Sequence, residues 1–488
     1  MTADFPYLSA IMLAPGVGLF IMLFLPHENK TAVRWIALIS SLVSLVLTLY
    51  VYAAYDRAAG GLQFVEKVLW VKSLGIYYYM GVDGINLPLV LLTSIVFVTG
   101  VWTMWDLQKR VKEFFILMLL MVLGVYGVFM ALDLFFLFVF YDVSLFPMYP
   151  LIAIWGSTRK EYGALKLTLY LLAGSALILP GMLYVYFQSG LNTFDLIALA
   201  QHGLPTQVQH IGFLLFLFGF GVLAGLWPFH TWSPVGHVAA PTAVSMIHAG
   251  VLMKLGAYGV LRVGMFLCPQ GLVEYAPLFA TLATVGIVYG AFVGLAQTDL
   301  KYVIGYSSVS HMGLVSFGMA TMNVGGVGGA VFQMFAHGIM TALLFSSVGH
   351  IYDRTHTKMI PDLGGMAKVM PRASFCFILA AMAGMGVPCL ASFWAELLVF
   401  VHGFKAYPLL GTFAVLGLVV SALFMLRVVQ RTFYGEKNQR YAGLPDMSFG
   451  MTVPRLMLVA TILLFGFLPR LMIDTINVSV MPLVEMFK

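Results

Sequence analysis

Five ionisable side chains lie within long apolar stretches of this sequence, and their types suit proton transfer. Asp142 ends the run LFFLFVFYD, Lys254 lies within AGVLMKLGAYG, and Glu396 closes AGMGVPCLASFWAE. His311 and His337 lie on two neighbouring apolar stretches. A charge at the centre of a membrane helix costs roughly 2.5–3.5 kcal/mol, so such residues need partners or a function. Because carboxylates, amines and imidazoles all bind and release protons, the set predicts a proton relay across several helices.

Other polar residues in apolar surroundings have structural interpretations that compete with a chemical one. Asp133 is expected to cap the helix that begins after it. Lys166 fits a lysine that extends to the membrane interface as well as it fits a proton-transfer residue. For His248, a hydrogen bond between two helices is weighed against proton transfer. His230 and His237 are interpreted as helix caps or as partners for free backbone groups.

Two segments rich in proline and glycine interrupt the helical pattern and position these side chains. The first, within Leu226–Arg262, contains three prolines and three histidines between bilayer-length apolar segments, which breaks the backbone hydrogen-bond ladder. The second is Ala383–Glu396. Within a bilayer such breaks occur only where protein or a water-filled cavity satisfies the backbone. Interruptions at corresponding positions predict inverted repeats and an ion path.

The composition defines the class of protein. Of 488 residues, 61% are hydrophobic and only 9% are charged, with a mean hydropathy of +0.95. Soluble proteins have roughly 25% charged residues, so the sequence predicts an all-α polytopic membrane protein. The net charge of +6 is attributed to loop residues that set topology rather than to nucleic-acid binding. The three cysteines suggest neither a disulfide framework nor a metal cluster, and no nucleotide-binding or zinc motif is found.

Apolar runs of bilayer length predict about fourteen transmembrane helices. Their approximate cores are 7–25, 34–55, 83–105, 114–131, 133–155, 164–187, 210–226, 240–263, 276–296, 301–321, 326–350, 374–395, 408–430 and 453–474. The expected domains are three N-terminal helices (1–112), a first five-helix repeat (113–263), a second (276–432), and a last helix with its tail (433–488).

Basic residues predict the orientation of the chain in the membrane. The first apolar segment is expected to remain as an anchor, since no cleavage site follows it. By the positive-inside rule, the distribution of lysine and arginine residues among the loops places both termini on the outer side. The loops on the inner side would include Lys30, Lys109, Arg159, Arg354 and Lys437.

Several motifs resemble those of the antiporter-like membrane subunits of respiratory complex I (NADH–quinone oxidoreductase), and especially the subunit M group. They are PFHTW, GHVAAPTA, AGVLMKLGAYGVLR, QTDLKYVIGYSSVSHMG, QMFAHGIMTALLF, DVSLFPMY and the segment around Glu396. Together they cover roughly residues 105–435. The resemblance implies fourteen helices and two inverted five-helix repeats, each with a broken helix.

The resemblance also assigns roles to residues. Lys254 matches the central lysine of the family, and Glu396 matches the terminal acidic residue of the second half-channel. His311 and His337 match the histidines between them. Asp142 stands where the family usually has glutamate.

One position departs from the family more seriously. The family usually has a lysine five residues before the proline of PFHTW, and this chain has Leu223 there. The carboxylate–lysine pair of the first half-channel therefore lacks its cation. We expect either a substitute, with His248 as a candidate, or an altered or silent half-channel.

The function implied is proton translocation in the bacterial cytoplasmic membrane, driven by quinone reduction in other subunits. The expected partners are antiporter-like subunits on both sides, the lipid bilayer and protons, but no nucleic acid. NADH, FMN, iron–sulfur clusters and quinone would bind partner subunits, and this chain would hold no cofactor. The alternatives are a subunit of a multi-subunit sodium/proton antiporter, a ferredoxin- or formate-linked membrane complex, or a structural subunit.

Overall fold

The computed structural model describes residues 5–488 and is built almost entirely from helices. The helices, numbered in chain order from α1 to α21, are Tyr7–Leu23, Lys30–Ala54, Leu87–Thr103, Val111–Met130, Leu134–Leu145, Met148–Trp155, Lys160–Ser189, Leu196–His202, Thr206–Ala224, Trp232–Ala239, Thr242–Ile247, Met253–Gly259, Pro269–Ala296, Leu300–Ala320, Val324–Thr355, Met366–Val369, Pro371–Gly384, Ala391–Ala406, Pro408–Phe433, Phe449–Phe467 and Arg470–Glu485.

One feature departs from the all-α expectation. An antiparallel hairpin, β1 (Gln63–Val71) and β2 (Ile76–Val82), connects α2 to α3. Gly75 adopts φ 62° where the chain reverses, a conformation that glycine accepts without steric cost. The strands are rich in valine, tyrosine and other residues that favour sheets. They are too short to be predicted as transmembrane segments.

The helices agree with a polytopic membrane protein. Within residues 5–488, ten helical segments are long and apolar enough to span a membrane, and α1, α3 and α17 are shorter apolar helices. The expected division of the run 114–155 is confirmed, since α4 ends at Met130 and α5 begins at Leu134. Asp133 caps α5 by accepting hydrogen bonds from the backbone N–H groups of Phe135 and Phe136 at 2.9 and 3.2 Å.

The first predicted break is present between α9 and α10. Helix α9 ends at Ala224, and Gly225 follows with φ 75°. The chain resumes a helix only at Trp232, whose indole N–H donates to the carbonyl of Val222 at 2.9 Å. A side chain from beyond the break therefore adds a hydrogen bond to a carbonyl in the last turn of α9.

The second predicted break is also present. Helix α17 ends at Gly384 and α18 begins at Ala391. Here the indole of Trp394 donates to the carbonyl of Gly466 on α20 at 2.8 Å, which ties the broken segment to a neighbouring helix.

Two buried helical segments form the centre of the bundle. The segment Thr242–Met265 joins α11 and α12 through a π-helical turn, His248–Leu252, and ends in a second such turn. Helix α15 is 32 residues long and packs beside it. The most apolar stretch of each of these two segments is completely buried inside the protein. A helix surrounded by protein can carry polar groups that lipid would not accept.

A buried ion pair connects the central segment to the start of α3. Nη2 of Arg262 lies 2.6 Å from Oδ2 of Asp83, and both residues are only 5% exposed. Nε of Arg262 also donates to the hydroxyl of Tyr258 at 3.1 Å. Since Asp83 precedes α3 and follows the hairpin, this pair fixes the N-terminal elements against the helix that carries Lys254.

We expect Arg262→Met to destabilise the protein, because it leaves the Asp83 carboxylate buried without a counter-charge. Removing one member of a buried pair costs about 3–5 kcal/mol. The apparent melting temperature of the detergent-solubilised protein should fall. Adding Asp83→Asn to this variant removes the stranded charge and should recover part of the loss. An unchanged melting temperature for Arg262→Met alone would show that the pair adds no stability.

Candidate proton-transfer site

Lys254 lies at the centre of the buried bundle without a carboxylate partner. Its side chain is fully buried on α12. Its Nζ donates to the carbonyl of Ala249, which belongs to the preceding π-helical turn, and lies 2.8 Å from Nδ1 of His337. Among residues 5–488 no carboxylate lies within ion-pair distance of this amine. A carbonyl and an imidazole therefore provide its polar contacts.

Glycines at the helix crossing allow Lys254 to reach α15. A Cβ atom built on Gly338 would lie 2.5 Å from the carbonyl oxygen of Gly250, closer than any real side chain allows. The backbones of the π-helical turn and α15 can approach this closely only because both residues lack a side chain. His337, next to Gly338 in sequence, is thus brought against the Lys254 amine.

The contacts continue from His337 to His311 on α14. The two imidazole rings are nearly parallel, with centroids 5.2 Å apart and an interplanar angle of 22°. Nδ1 of His311 lies 2.8 Å from the carbonyl oxygen of Ser307. Because a carbonyl can only accept, Nδ1 carries hydrogen and donates, so Nε2 is the nitrogen free to gain or lose a proton.

Glu396 completes the row at the start of α18. Its Oε1 lies 3.4 Å from Nε2 of His311 and accepts a hydrogen bond from the Gln333 amide at 3.3 Å. Gly386, in the broken segment, has φ 68°, and a Cβ built there would lie 2.5 Å from Oε2 of Glu396. The break therefore places the backbone of a residue without a side chain against the Glu396 carboxylate.

Four residues predicted from the sequence thus form one buried row: Lys254, His337, His311 and Glu396. None is more than 4% exposed. Sequence reasoning missed Gln333, although it precedes His337 by four residues and so shares its face of α15. In the part of the chain that the structure describes, no three His, Cys, Asp or Glu side chains could together hold a metal ion.

The structure places Asp142 apart from this row. Its Oδ1 accepts a hydrogen bond from the hydroxyl of Ser175 on α7 at 2.6 Å. The carboxyl is partly exposed and lines an apolar cavity of about 540 Å³ together with Phe146 and Leu172, side chains that are 72% and 54% exposed. Asp142 therefore lies near the outside of the bundle.

Leu223 occupies the position of the missing lysine. It is fully buried near the end of α9. A Cβ built on Gly256 of α12 would lie 2.8 Å from the carbonyl carbon of Leu223. Position 223 thus adjoins the helix that carries Lys254, but it provides only an apolar side chain.

Lys166 is neither in the row nor a partner for Asp142. At about 100° per residue, the separation of nine positions from Lys166 to Ser175 places them on opposite faces of α7. The amine of Lys166 is partly buried, and lies 6.0 Å from the Tyr162 ring and 5.9 Å from the Tyr170 ring. These contacts support the interfacial interpretation.

The histidines of the first broken region do not form the structural contacts expected of them. In the part of the chain that the structure describes, His248 makes no hydrogen bond to another helix, and neither ring of His230 and His237 caps a helix or binds a backbone group. All three are buried. The His237 and His248 rings lie 4.4 Å apart, and the His230 ring packs 5.0 Å from the Tyr289 ring. Sequence spacing could not reveal the His237–His248 pair, because a break and a turn separate the two residues.

Comparison with known proteins places this geometry in a family. The family described as "NADH:quinone oxidoreductase/Mrp antiporter, TM" matches residues 131–424. The chain belongs to this family. The match contains the whole row from Lys254 to Glu396, together with both broken segments. The resemblance to antiporter-like membrane subunits is therefore confirmed.

Individual antiporter-like subunits are similar over most of their length. NAD(P)H-quinone oxidoreductase chain 4 2 of Microcystis aeruginosa is 38% identical over 445 residues, which are 89% of this chain and 80% of the relative. NADH-quinone oxidoreductase subunit M of Rhodobacter capsulatus is 37% identical over 474 residues, which are 94% and 92% of the two chains. These relatives are named as subunits of an oxidoreductase complex.

Solved structures share the fold. A chain of respiratory complex I from Thermus thermophilus superposes with a TM-score of 0.91 at 26% identity, covering 99% of this chain and 100% of the other. A chain of the Mrp complex from Dietzia gives a TM-score of 0.87 at 20% identity, covering 98% of each. The second likeness shows the fold alone.

We expect Gly386→Ala to impair the site without removing an ionisable group. The new methyl would press on Oε2 of Glu396, and the positive φ adds about 1–2 kcal/mol of strain for a residue other than glycine. Gly435→Ala is the matched control, because Gly435 has φ 90° but open space around a built Cβ. Proton translocation by the assembled complex should fall for Gly386→Ala only. Equal losses in both variants would attribute the effect to backbone strain rather than to Glu396.

Proposed function

We propose that this antiporter-like subunit carries protons through the membrane part of a complex I-type NADH:quinone oxidoreductase, along Lys254, His337, His311 and Glu396. The observation that carries the proposal is the row itself. It is a series of four proton-binding groups on four helical segments, each in contact with the next and buried in apolar surroundings. A lone buried charge has few structural uses at such a cost.

Each contact in the row suits one step of transfer. The Lys254 amine can pass a proton to Nδ1 of His337 over 2.8 Å. His337 and His311 stack at 5.2 Å, so this step requires a ring rotation or a bridging water. Nε2 of His311 then faces the Glu396 carboxylate at 3.4 Å. Each donor loses one N–H bond, and each acceptor gains an N–H bond or, at Glu396, an O–H bond, so no residue changes its oxidation state.

The driving force would come from quinone reduction in other subunits of the assembly. NADH, FMN, iron–sulfur clusters and quinone are proposed to bind those subunits, with antiporter-like neighbours on both sides of this chain. The membrane is proposed to be a bacterial cytoplasmic membrane, with both termini outside. Exposed basic side chains at the α3–α4, α6–α7 and α19–α20 connections support that orientation, because they share the end of the bundle predicted to be inner.

We also propose that the chain contains two inverted repeats, 113–263 and 276–432, between the N-terminal helices (1–112) and the C-terminal region (433–488). The two broken helices, α9–α10 and α17–α18, support this division because each lies late in its repeat. Lys254 would lie at the end of the first repeat and Glu396 within the second, so the row would connect the two halves.

A subunit of a multi-subunit sodium/proton antiporter is the second candidate, favoured by the fold shared with the Mrp chain. A ferredoxin- or formate-linked complex and a structural subunit are further alternatives. Purification of the tagged chain from its native membrane separates them. Copurification of iron–sulfur and quinone-site subunits supports the leading proposal, whereas small antiporter chains without redox subunits would replace it with the second.

We expect Lys254→Met to lower proton translocation in proteoliposomes containing the native complex by about a hundredfold, the contribution typical of a positioned proton-transfer group. Methionine retains the shape of the side chain and removes the proton site. Lys112→Met is the matched control, because the amine of Lys112 is also largely buried and donates to the carbonyls of Leu23 and Leu25, away from the row. Pumping by Lys254→Met at the rate of the control would refute the proposed path.

Asp142 remains a predicted proton-transfer residue whose position allows a direct test. We expect Asp142→Ala to reduce pumping far less than Lys254→Met does, because its carboxyl contacts Ser175 rather than the row. The measurement is the same proteoliposome assay. A loss as large as that of Lys254→Met would show that the first half-site operates without the lysine.

A further inference from the structure

A polar cavity of about 260 Å³ lies beside α15, away from the row. It is lined by the end of α3, the last turns of α15 and the first turns of α20, including Trp102, Asp106, His350, Asp353 and Arg455. His350 follows His337 by thirteen positions, which at about 100° per residue places the two side chains about 140° apart around α15. The cavity is therefore separate from the proton-transfer site.

Two buried nitrogens at this cavity lack partners. Arg455 is 3% exposed and His350 is 5% exposed. The guanidinium of Arg455 donates from Nη1 to the carbonyl of Met451 at 2.5 Å and from Nη2 to the carbonyl of Ser346 at 2.7 Å. Its Nε, and Nε2 of His350, have no hydrogen-bond partner among residues 5–488. Because a buried N–H group without an acceptor is costly, these nitrogens favour a ligand that brings oxygen atoms.

The mouth of the same cavity has the opposite charge. Asp106 and Asp353 line it and are exposed. Asp353 lies three residues beyond His350 on α15, about 4.5 Å nearer the helix end at 1.5 Å per residue. A simple anion that reached Arg455 would bring its charge towards these carboxylates. A ligand with an anionic group for Arg455 and a cationic group for Asp353 satisfies both ends of the cavity.

Aromatic side chains place the cavity at the level of lipid headgroups. Trp105 lines it, and its ring packs 5.2 Å from the ring of Trp35, a side chain of α2 that is 50% exposed. Phe449, next to the lining residue Gly450, is 79% exposed at the start of α20. Tryptophan is enriched at membrane–water interfaces, and the exposed apolar rings offer contacts for acyl chains.

We propose that this cavity binds the headgroup of an aminophospholipid, phosphatidylethanolamine, in the leaflet on the predicted inner side. The phosphate oxygens accept hydrogen bonds from Nε of Arg455 and from Nε2 of His350, in the tautomer that carries hydrogen there. The ammonium group, two carbons from the phosphate ester oxygen, meets Asp353 and Asp106. Polar pockets between membrane helices are known to bind lipid headgroups. The lipid would join α3, α15 and α20, and its binding does not depend on the proposed proton path.

Photoactivatable lipids test this site in proteoliposomes of the native complex. Phosphatidylethanolamine and phosphatidylglycerol with the same reactive acyl chains are compared, and the labelled peptides are quantified by mass spectrometry. Peptides containing Trp105 and Phe449 should be labelled about fivefold more by phosphatidylethanolamine, the upper range for an exposed ion pair. Equal labelling by both lipids would overturn the inference. Loss of the labelling in excess inorganic phosphate would show a site for free anions and would overturn it as well.

Two variants and a control assign the binding to this cavity. Asp353→Asn should reduce labelling by phosphatidylethanolamine to the level of phosphatidylglycerol, because the ammonium loses its charged partner. His350→Phe keeps an aromatic ring and should lower labelling by both lipids about tenfold, since the phosphate loses a hydrogen bond. Glu436→Gln is the matched control, an exposed carboxylate in the α19–α20 connection outside the cavity lining, and it should be labelled normally. An unchanged lipid preference in Asp353→Asn, or an equal change in Glu436→Gln, would overturn the inference.

Discussion

The burial of Lys254 with no carboxylate partner in the described part of the chain, residues 5–488, is the constraint on which the rest of the structure depends. An ammonium group in a membrane interior is stable only where dipoles replace its hydration. Here a π-helical turn directs the carbonyl of Ala249 at the amine, and glycines at the crossing with α15 bring His337 within 2.8 Å. Complete enclosure of both helices by protein keeps lipid away. A lysine so weakly compensated exchanges its proton more readily than one paired with a carboxylate.

The buried ionisable groups are of two kinds: some stabilise the fold, and others can transfer protons. Arg262 is paired closely with Asp83, and the amine of Lys112 is satisfied by two carbonyls. In such closed contacts the proton has no onward acceptor. The row differs because its proton-binding groups face one another, while Nε2 of His337 and Oε2 of Glu396 have no hydrogen-bond partner among residues 5–488. Stability and conduction therefore use the same residue types in different surroundings.

The first half of the molecule departs from the expected family pattern at two positions, Asp142 and Leu223. Its carboxylate, Asp142, contacts the hydroxyl of Ser175 near the outside of the bundle. Leu223 stands where a lysine was expected. Because position 223 is a leucine, no cation there repels the protonated form of Lys254 or attracts Asp142. An altered path in this half is compatible with an intact row from Lys254 to Glu396.

The sequence by itself determined the membrane class, both broken helices, the Asp133 cap and the four members of the row. These follow from apolar run length, proline and glycine placement, and family motifs, which are all local in the chain. The tertiary structure decided which polar groups meet. It paired His237 with His248, brought Gln333 to Glu396, set Asp142 apart and folded a hairpin at 63–82. Such contacts join residues on different helices, and their geometry depends on crossings and breaks that spacing along one helix does not encode.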